Sequence, residues 1–159
     1  MEKDGLMKKI LLAFIALTTM TLSALADDKT DVLETFDRYV KDANAYSVNI
    51  PNYYVKNAKI VRVVNKKQGG QATVIVPFDR YLKELDSHAK LAKVVNYKNA
   101  YTNRKIEKIG NDYKVSTIRI PRNDKTGLPA YFIFTKVNNG WKIKEESMQT
   151  NVQTFLNAK

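Results

Sequence analysis

The fold is decided by LPAYFIFTKVNNGWKIKEESMQ, residues 128–149. Apolar and polar residues alternate in the runs on either side of Asn139-Gly140, and a period of two is typical of a β-strand. The Asn-Gly dipeptide favours a tight hairpin turn, because both residues accept a positive φ. The stretch therefore predicts two antiparallel strands, 128–138 and 140–149.

Two further strands precede this hairpin, at about 94–109 and 112–121. Gly110-Asn111-Asp112 marks the turn between them, and the polar segment 123–127 links them to the hairpin. Strands joined by links this short must be antiparallel neighbours. The C-terminal half is therefore predicted to be one antiparallel sheet.

The N-terminal half contains two amphipathic helices and a short hairpin. Apolar residues recur at intervals of three and four over 30–46, and again from Phe78 to Ala92 with Tyr81, Leu85 and His88 on the same face. Between the helices, the runs 58–64 and 72–76 flank Gly69-Gly70. The whole pattern predicts an α+β fold in which N-terminal helices pack on a curved antiparallel sheet.

Residues 1–26 have the features of a cleaved secretory signal peptide. Lys8 and Lys9 precede a short apolar run, and Ala24-Leu25-Ala26 provides the small residues that signal peptidase needs. The apolar run is shorter than the roughly 20 residues that span a bilayer. We expect residues 27–159 to form a single exported domain without a transmembrane anchor. Translation starts at either Met1 or Met7.

Charge and cysteine content restrict the location and the partners. The chain has no cysteine, which excludes a disulfide framework and fits a bacterial periplasmic or secreted protein. It carries 27 basic and 16 acidic residues, a net charge of +11. The lysines are spread along the chain without a dense cluster, so nucleic acid is not the expected partner and a solvated basic surface is the simpler interpretation.

Two segments resemble the nuclear-transport-factor-2-like (NTF2-like) superfamily. IPNYYVKNAKIVRVV (50–64) resembles the family's stretch in which a helix ends, an aromatic-rich link follows and the first strand begins. WKIKEESMQT (141–150) resembles its last strand, which runs to the mouth of a cone. The resemblance implies helices packed inside a curved sheet. It also implies a homodimer, which would cover the second apolar face of strand 128–138. The alternative is a monomer in which a helix or the C-terminal tail covers that face.

Glu145 is the leading candidate for a pocket residue. Alternation along the last strand predicts that it shares a face with Trp141 and Ile143, and that Ser147 and Gln149 follow on that face. The alternative is that the strand leaves the core after Ile143, so that Glu145 is solvated or salt-bridged.

Arg119, Tyr131 and Tyr54 complete the set of pocket candidates. If the neighbouring strand faces inward, Arg119 could neutralise Glu145 and form a structural ion pair. The chain has nine tyrosines, whose apolar rings and polar tips suit the rim of a cavity. Ordinary core packing is the alternative, and the tyrosines concerned are Tyr39, Tyr53, Tyr54, Tyr97, Tyr101 and Tyr131.

The sequence contains few residues or motifs that are typical of catalysis or cofactor binding. His88 is the only histidine, so a multi-histidine metal site is excluded. Glu145 and His88 are weak candidates for a general base, and a solvated histidine on a helix face is the alternative. No glycine-rich phosphate loop follows a strand and no nucleophile elbow is present. No metal or cofactor is predicted.

Three functions fit these observations. The first is non-catalytic binding of a small, partly apolar ligand in the cone cavity, with or without a homodimer interaction. The second is an isomerase, dehydratase or cyclase that uses a cavity carboxylate or histidine. The third is a basic module that binds an anionic envelope polymer or a partner protein.

Overall fold

The computed structural model describes residues 27–122, 124, 126–138 and 140–157. The predicted signal peptide, residues 1–26, lies outside the described residues. Within the described part of the chain, no helix has the length and apolarity needed to cross a membrane.

Two helices pack on one side of the sheet. Helix α1 is described over residues 27–44 and buries Val32, Phe36 and Tyr39, the stripe expected from their spacing. A 3₁₀ helix, Ile50–Tyr53, follows it and contains Pro51. Helix α2 spans Phe78–Val94, directly after Pro77. Both predicted helices are thus confirmed.

Six strands form the sheet. They are β1 (Tyr54–Asn65), β2 (Gln71–Val76), β3 (Asn99–Ile109), β4 (Asp112–Pro121), β5 (Leu128–Val137) and β6 (Gly140–Thr150). The predicted start of the third strand near residue 94 is wrong. Helix α2 continues there, because the Val95 N–H donates to the Leu91 carbonyl in the helical pattern.

The sheet order is β2-β1-β6-β5-β4-β3. All the predicted hairpins are antiparallel, but β1 and β6 pair in parallel, so the sheet is mixed. Sequence patterns gave no sign of this pairing, because the two strands lie at opposite ends of the described chain. The predicted α+β fold with helices on a curved sheet is confirmed.

The hairpin between β5 and β6 is also confirmed, with its link one residue earlier than predicted. Val137 pairs with Gly140, so the link is residues 138–139. Asn138 has a φ of 51°, a left-handed conformation that asparagine tolerates. Asn139 lies outside the described residues.

The two faces of the sheet have different environments. We call the face that carries Phe132 and Phe134 the inner face, and the opposite face, which carries Tyr131 and Ile133, the outer face. The helices and the aromatic core lie on the inner face, where Phe36 of α1 packs 5.0 Å from Phe132 between ring centroids. Packing of α1 therefore fixes which face of β5 is buried.

Gly127 provides a test of packing at the start of β5. A Cβ on Gly127 would lie 2.5 Å from Cγ2 of Ile118, whereas one on Gly140 would meet nothing within 4 Å. We expect Gly127→Ala to destabilise the protein by about 1–3 kcal/mol, because the Ile118 side chain must move. Gly140→Ala is the matched control and should change the stability little. Urea unfolding measures both, and equal effects would contradict the close contact.

Candidate functional site

A β-bulge in β6 decides which carboxylate enters the core. Ile143 pairs with Phe134, but the next pair along β5 is Ile133 with Glu145, so Lys144 is an extra residue. An extra residue reverses the alternation of side chains beyond it. Glu146 therefore follows Ile143 onto the inner face, and the prediction that Glu145 points there is wrong.

Glu146 is fully buried and accepts hydrogen bonds from four side chains. Its Oε1 accepts from Nη2 of Arg62 at 2.6 Å. Its Oε2 accepts a short hydrogen bond from the Tyr54 hydroxyl, and longer ones from Tyr39 at 3.2 Å and Tyr81 at 3.5 Å. These five residues form what we call the Glu146 network, which joins α1, β1, α2 and β6.

Burial and the Glu146 charge together set the ionisation of this network. Burial first, and then the nearby carboxylate, raise the pKa of Tyr39 and Tyr54 well above its usual value. The pKa of Tyr81 and of the neighbouring Tyr101 is raised for the same reasons. Burial alone would lower the pKa of Arg62, but Glu146 more than offsets this and the pKa is raised. The phenols thus stay protonated and the guanidinium stays charged.

This arrangement suits a structural ion pair better than a catalytic base. Both oxygens of Glu146 already accept hydrogen bonds, and Oε1 is paired with Arg62. A buried pair of this kind is stable only when its remaining hydrogen-bonding groups are satisfied, and the phenols satisfy them. The sequence offered one signal for it, the adjacent carboxylates Glu145 and Glu146, but period-two reasoning selected the wrong one.

Glu145 lies on the outer face and is salt-bridged, as the alternative interpretation held. Its Oε1 accepts from the Tyr131 hydroxyl at 2.6 Å, and its Oε2 from Nζ of Lys59 at 3.3 Å. The predicted pair with Arg119 is not formed, because Arg119 belongs to the inner face of β4. Arg119 donates to Asn99, Tyr97 and the Gln149 carbonyl instead.

A groove of about 730 Å³ runs along the outer face. Three of the predicted pocket residues line it: Tyr131, Ser147 and Gln149. The rest of its wall includes the apolar Val63, Ile118 and Pro129, the polar Asn103 and Ser116, and the basic Arg104, Lys105 and Lys114. The structure thus brings these candidates together on the opposite side of the sheet from the predicted cavity. Tyr54 lies on the inner face in the Glu146 network.

The other candidates are dispersed. His88 is exposed on α2. In the described ranges, no group of three or more His, Cys, Asp or Glu side chains could hold a metal ion. Trp141 packs edge-on against Tyr113 and lines a second cavity of about 370 Å³ beside α1 and the 3₁₀ helix.

Known proteins resemble this chain in structure and not in sequence. No protein-family model and no curated protein matches it. An NTF2-like protein with a cystatin-like fold from Novosphingobium aromaticivorans aligns with 88% of this chain and 94% of its own, at 11% identity and a TM-score of 0.62.

Two further solved structures show the same likeness. One, provisionally assigned as a scytalone dehydratase and also from Novosphingobium aromaticivorans, is 14% identical and covers 83% of this chain and 89% of its own, with a TM-score of 0.59. A DUF3225 protein of unknown function from Pectobacterium atrosepticum is 18% identical and covers 78% and 91%, with a TM-score of 0.58. At these identities the likeness shows the fold alone, and the NTF2-like fold implied by the sequence is confirmed.

Removing the Glu146 charge tests the network. We expect Glu146→Gln to destabilise the protein by about 3–5 kcal/mol, because it leaves Arg62 buried without a counter-ion. Glu145→Gln is the matched control one residue away. The Lys59 pair is partly exposed, so we expect a loss below about 1 kcal/mol. Urea unfolding compares the two, and similar losses would show that Glu146 is not the residue that holds the core.

The tyrosines predict a loss of stability at alkaline pH. The folded-state pKa of Tyr39 and Tyr54 lies above the value of about 10 in an unfolded chain. The folded protein therefore retains protons that the unfolded chain releases. The resulting stability is complete below about pH 10 and is lost as the pH rises further. Urea midpoints from about pH 8 to about pH 12 measure this loss, and Tyr54→Phe should reduce its slope. A flat profile would contradict the buried phenols.

Proposed function

We propose that the protein is an exported, non-catalytic binding protein that holds a small, partly apolar molecule in the outer-face groove. The observation that carries this is the composition of the groove wall, where Tyr131, Ser147 and Gln149 lie among aliphatic and basic side chains. Export rests on the signal-like residues 1–26, and a periplasmic or secreted location follows from it.

The groove has the size and mixed chemistry of a ligand site. Its volume of about 730 Å³ falls in the range of about 300–1,000 Å³ found for small-molecule pockets. Val63, Ile118 and Pro129 offer apolar surface, and hydroxyl and amide groups can orient a ligand. Such a wall suits a molecule with an apolar body and a few polar substituents.

Glu145 fixes the orientation of the central tyrosine. Burial first, and then the hydrogen bond to Glu145, raise the pKa of Tyr131. The hydroxyl donates to Glu145 and is also hydrogen-bonded to Ser147, so the two hydroxyls are held together in the groove wall. Nζ of Lys114 lies 4.9 Å from the centroid of the Tyr131 ring, which further limits the movement of this side chain.

A homodimer through the same face is a second candidate. Ile75 of β2 is paired with Val61 on the outer face and is 61% exposed, and Ile118 and Ile133 are half-buried on that face. Two copies meeting there would cover these side chains and enclose the groove. The enzyme alternative is less favoured, because the carboxylate on the inner face is already hydrogen-bonded through both oxygens.

Filling the groove tests the proposal. Ser116 is paired with Tyr131 across the outer face, so Ser116→Phe should place a ring in the groove and abolish ligand binding. Ser87→Phe, at an exposed position of α2, is the matched control and should bind as the unaltered protein does. Native mass spectra and melting temperatures across a metabolite panel measure binding.

Light scattering on the same samples reports their mass. Retained ligand binding by Ser116→Phe, or no ligand and no melting shift for the unaltered protein, would contradict the groove as a ligand site. If the unaltered protein is instead a ligand-free dimer that Ser116→Phe converts to a monomer, the groove belongs to the dimer interface.

A further inference from the structure

Two arginines on the inner face are equally buried but differ in charge compensation. Arg62 and Arg119 are each 6% exposed. Arg62 pairs with Glu146. Arg119 forms no ion pair with any described residue. A buried charge is normally paired, because desolvation is costly.

The partners of Arg119 are all neutral. Its Nη1 donates to Oδ1 of Asn99 at 2.9 Å and to the Tyr97 hydroxyl at 3.3 Å, and its Nη2 donates to the Gln149 carbonyl at 2.9 Å. Its Nε is buried and has no hydrogen-bond partner among the described residues. Among the described residues, the Arg119 guanidinium therefore has no ion-pair partner and its Nε–H has no acceptor.

One structural role accounts for part of this geometry. In the pairing of β5 with β6, Tyr131 lies opposite Ser147 and Ala130 lies opposite Met148. The same register places Pro129 opposite Gln149. Proline has no N–H, so the Gln149 carbonyl takes its hydrogen bond from Arg119. A neutral amide side chain could serve that carbonyl equally well. The hydrogen bond to the Gln149 carbonyl accounts for the position of Nη2. It does not account for the positive charge of Arg119 or for its unpaired Nε–H.

Arg119 lies where three segments meet, which we call the mouth of the inner face. They are the link from α2 to β3, the loop after β4, and the end of β6. The carboxylate in this loop, Asp124, forms no ion pair with Arg119, because its two oxygens accept from the Thr126 N–H and the Asn151 amide. The hydrogen bonds from Thr126 first, and the Arg119 charge to a smaller extent, lower the pKa of Asp124. Lys98 and Arg122 are exposed nearby. The mouth therefore has an excess of positive charge.

We propose that Arg119 anchors an oxyanion site at this mouth, which takes the carboxylate or phosphate group of a small molecule. The Nε–H donates to one oxygen of the anion. The Tyr97 hydroxyl accepts from Nη1 of Arg119 and donates to Oδ1 of Asn99, each at 3.3 Å. Both distances exceed the usual values of about 2.9–3.0 Å for N–H···O and about 2.7–2.8 Å for O–H···O. Tyr97 can therefore turn aside at small cost and donate to a second oxygen. This site lies across the sheet from the groove and is independent of it.

Inorganic phosphate and acetate, each compared with chloride at matched ionic strength, are the probes. Melting temperature reports binding, and the NMR resonance of the Arg119 Nε–H, assigned by its absence in Arg119→Lys, reports the contact. We expect one or both anions to raise the melting temperature and shift this resonance. Arg119→Gln should bind about ten- to a hundredfold more weakly, as loss of a charged hydrogen bond implies.

Arg38→Gln is the matched control, because Arg38 is an exposed arginine on α1 that pairs with Glu34. It should respond as the unaltered protein does, and so should Ser116→Phe, whose change lies on the outer face. An anion effect no larger than that of chloride, an unchanged Nε–H resonance, or an equal response from Arg119→Gln would overturn the site. If Arg119→Gln does not fold, the resonance in the unaltered protein and the response of Arg119→Lys decide. Preference for phosphate or acetate then identifies which group the site takes.

Discussion

The packing of both helices against the sheet depends on the buried pair between Glu146 and Arg62. Each charge loses its hydration on burial, and their mutual attraction offsets that cost only if every remaining lone pair finds a donor. Tyr39 from α1, Tyr54 from β1 and Tyr81 from α2 supply those donors. The tyrosine-rich composition is therefore in part an electrostatic requirement: a phenylalanine at these positions would fill the same space but leave the carboxylate short of donors.

Much of the fold could be predicted from the sequence, because its elements follow from local periodicity. The stripe of Phe36 and Tyr39 defined α1, and alternation with short links defined the C-terminal strands and their antiparallel pairing. The parallel pairing of β1 with β6 could not be read in this way. It depends on packing between segments about 85 residues apart, to which neither periodicity nor turn residues respond.

The candidate site was less predictable for a related reason. Alternation placed Glu145 inside, and one extra residue at Lys144 moved it outside and brought Glu146 in. A bulge of this kind has no strong sequence signal, since lysine is an ordinary residue at such a position. The same error explains why Arg119 was matched with Glu145, and why Ser147 and Gln149 were grouped correctly but assigned to the wrong face. Regular alternation beyond the bulge is enough to predict that Ser147 and Gln149 share a face of β6. Predicting which face of the sheet this is requires knowing that Lys144 is an extra residue.

The NTF2-like fold does not by itself determine function, so the function of this protein depends on where its polar groups lie. On the inner face, the Glu146 network closes on itself and Arg119 is left with an unused charge and donor. On the outer face, Glu145 holds Tyr131 in the wall of the groove. Adjacent carboxylates in β6 thus serve opposite sides of one sheet, and only the bulge at Lys144 keeps them apart. Without it, Glu145 would face Arg62, while Glu146 would point outward and Tyr131 would lose its acceptor. The stability of the core and the shape of the groove are therefore coupled through a single backbone irregularity, and a change there would alter both together.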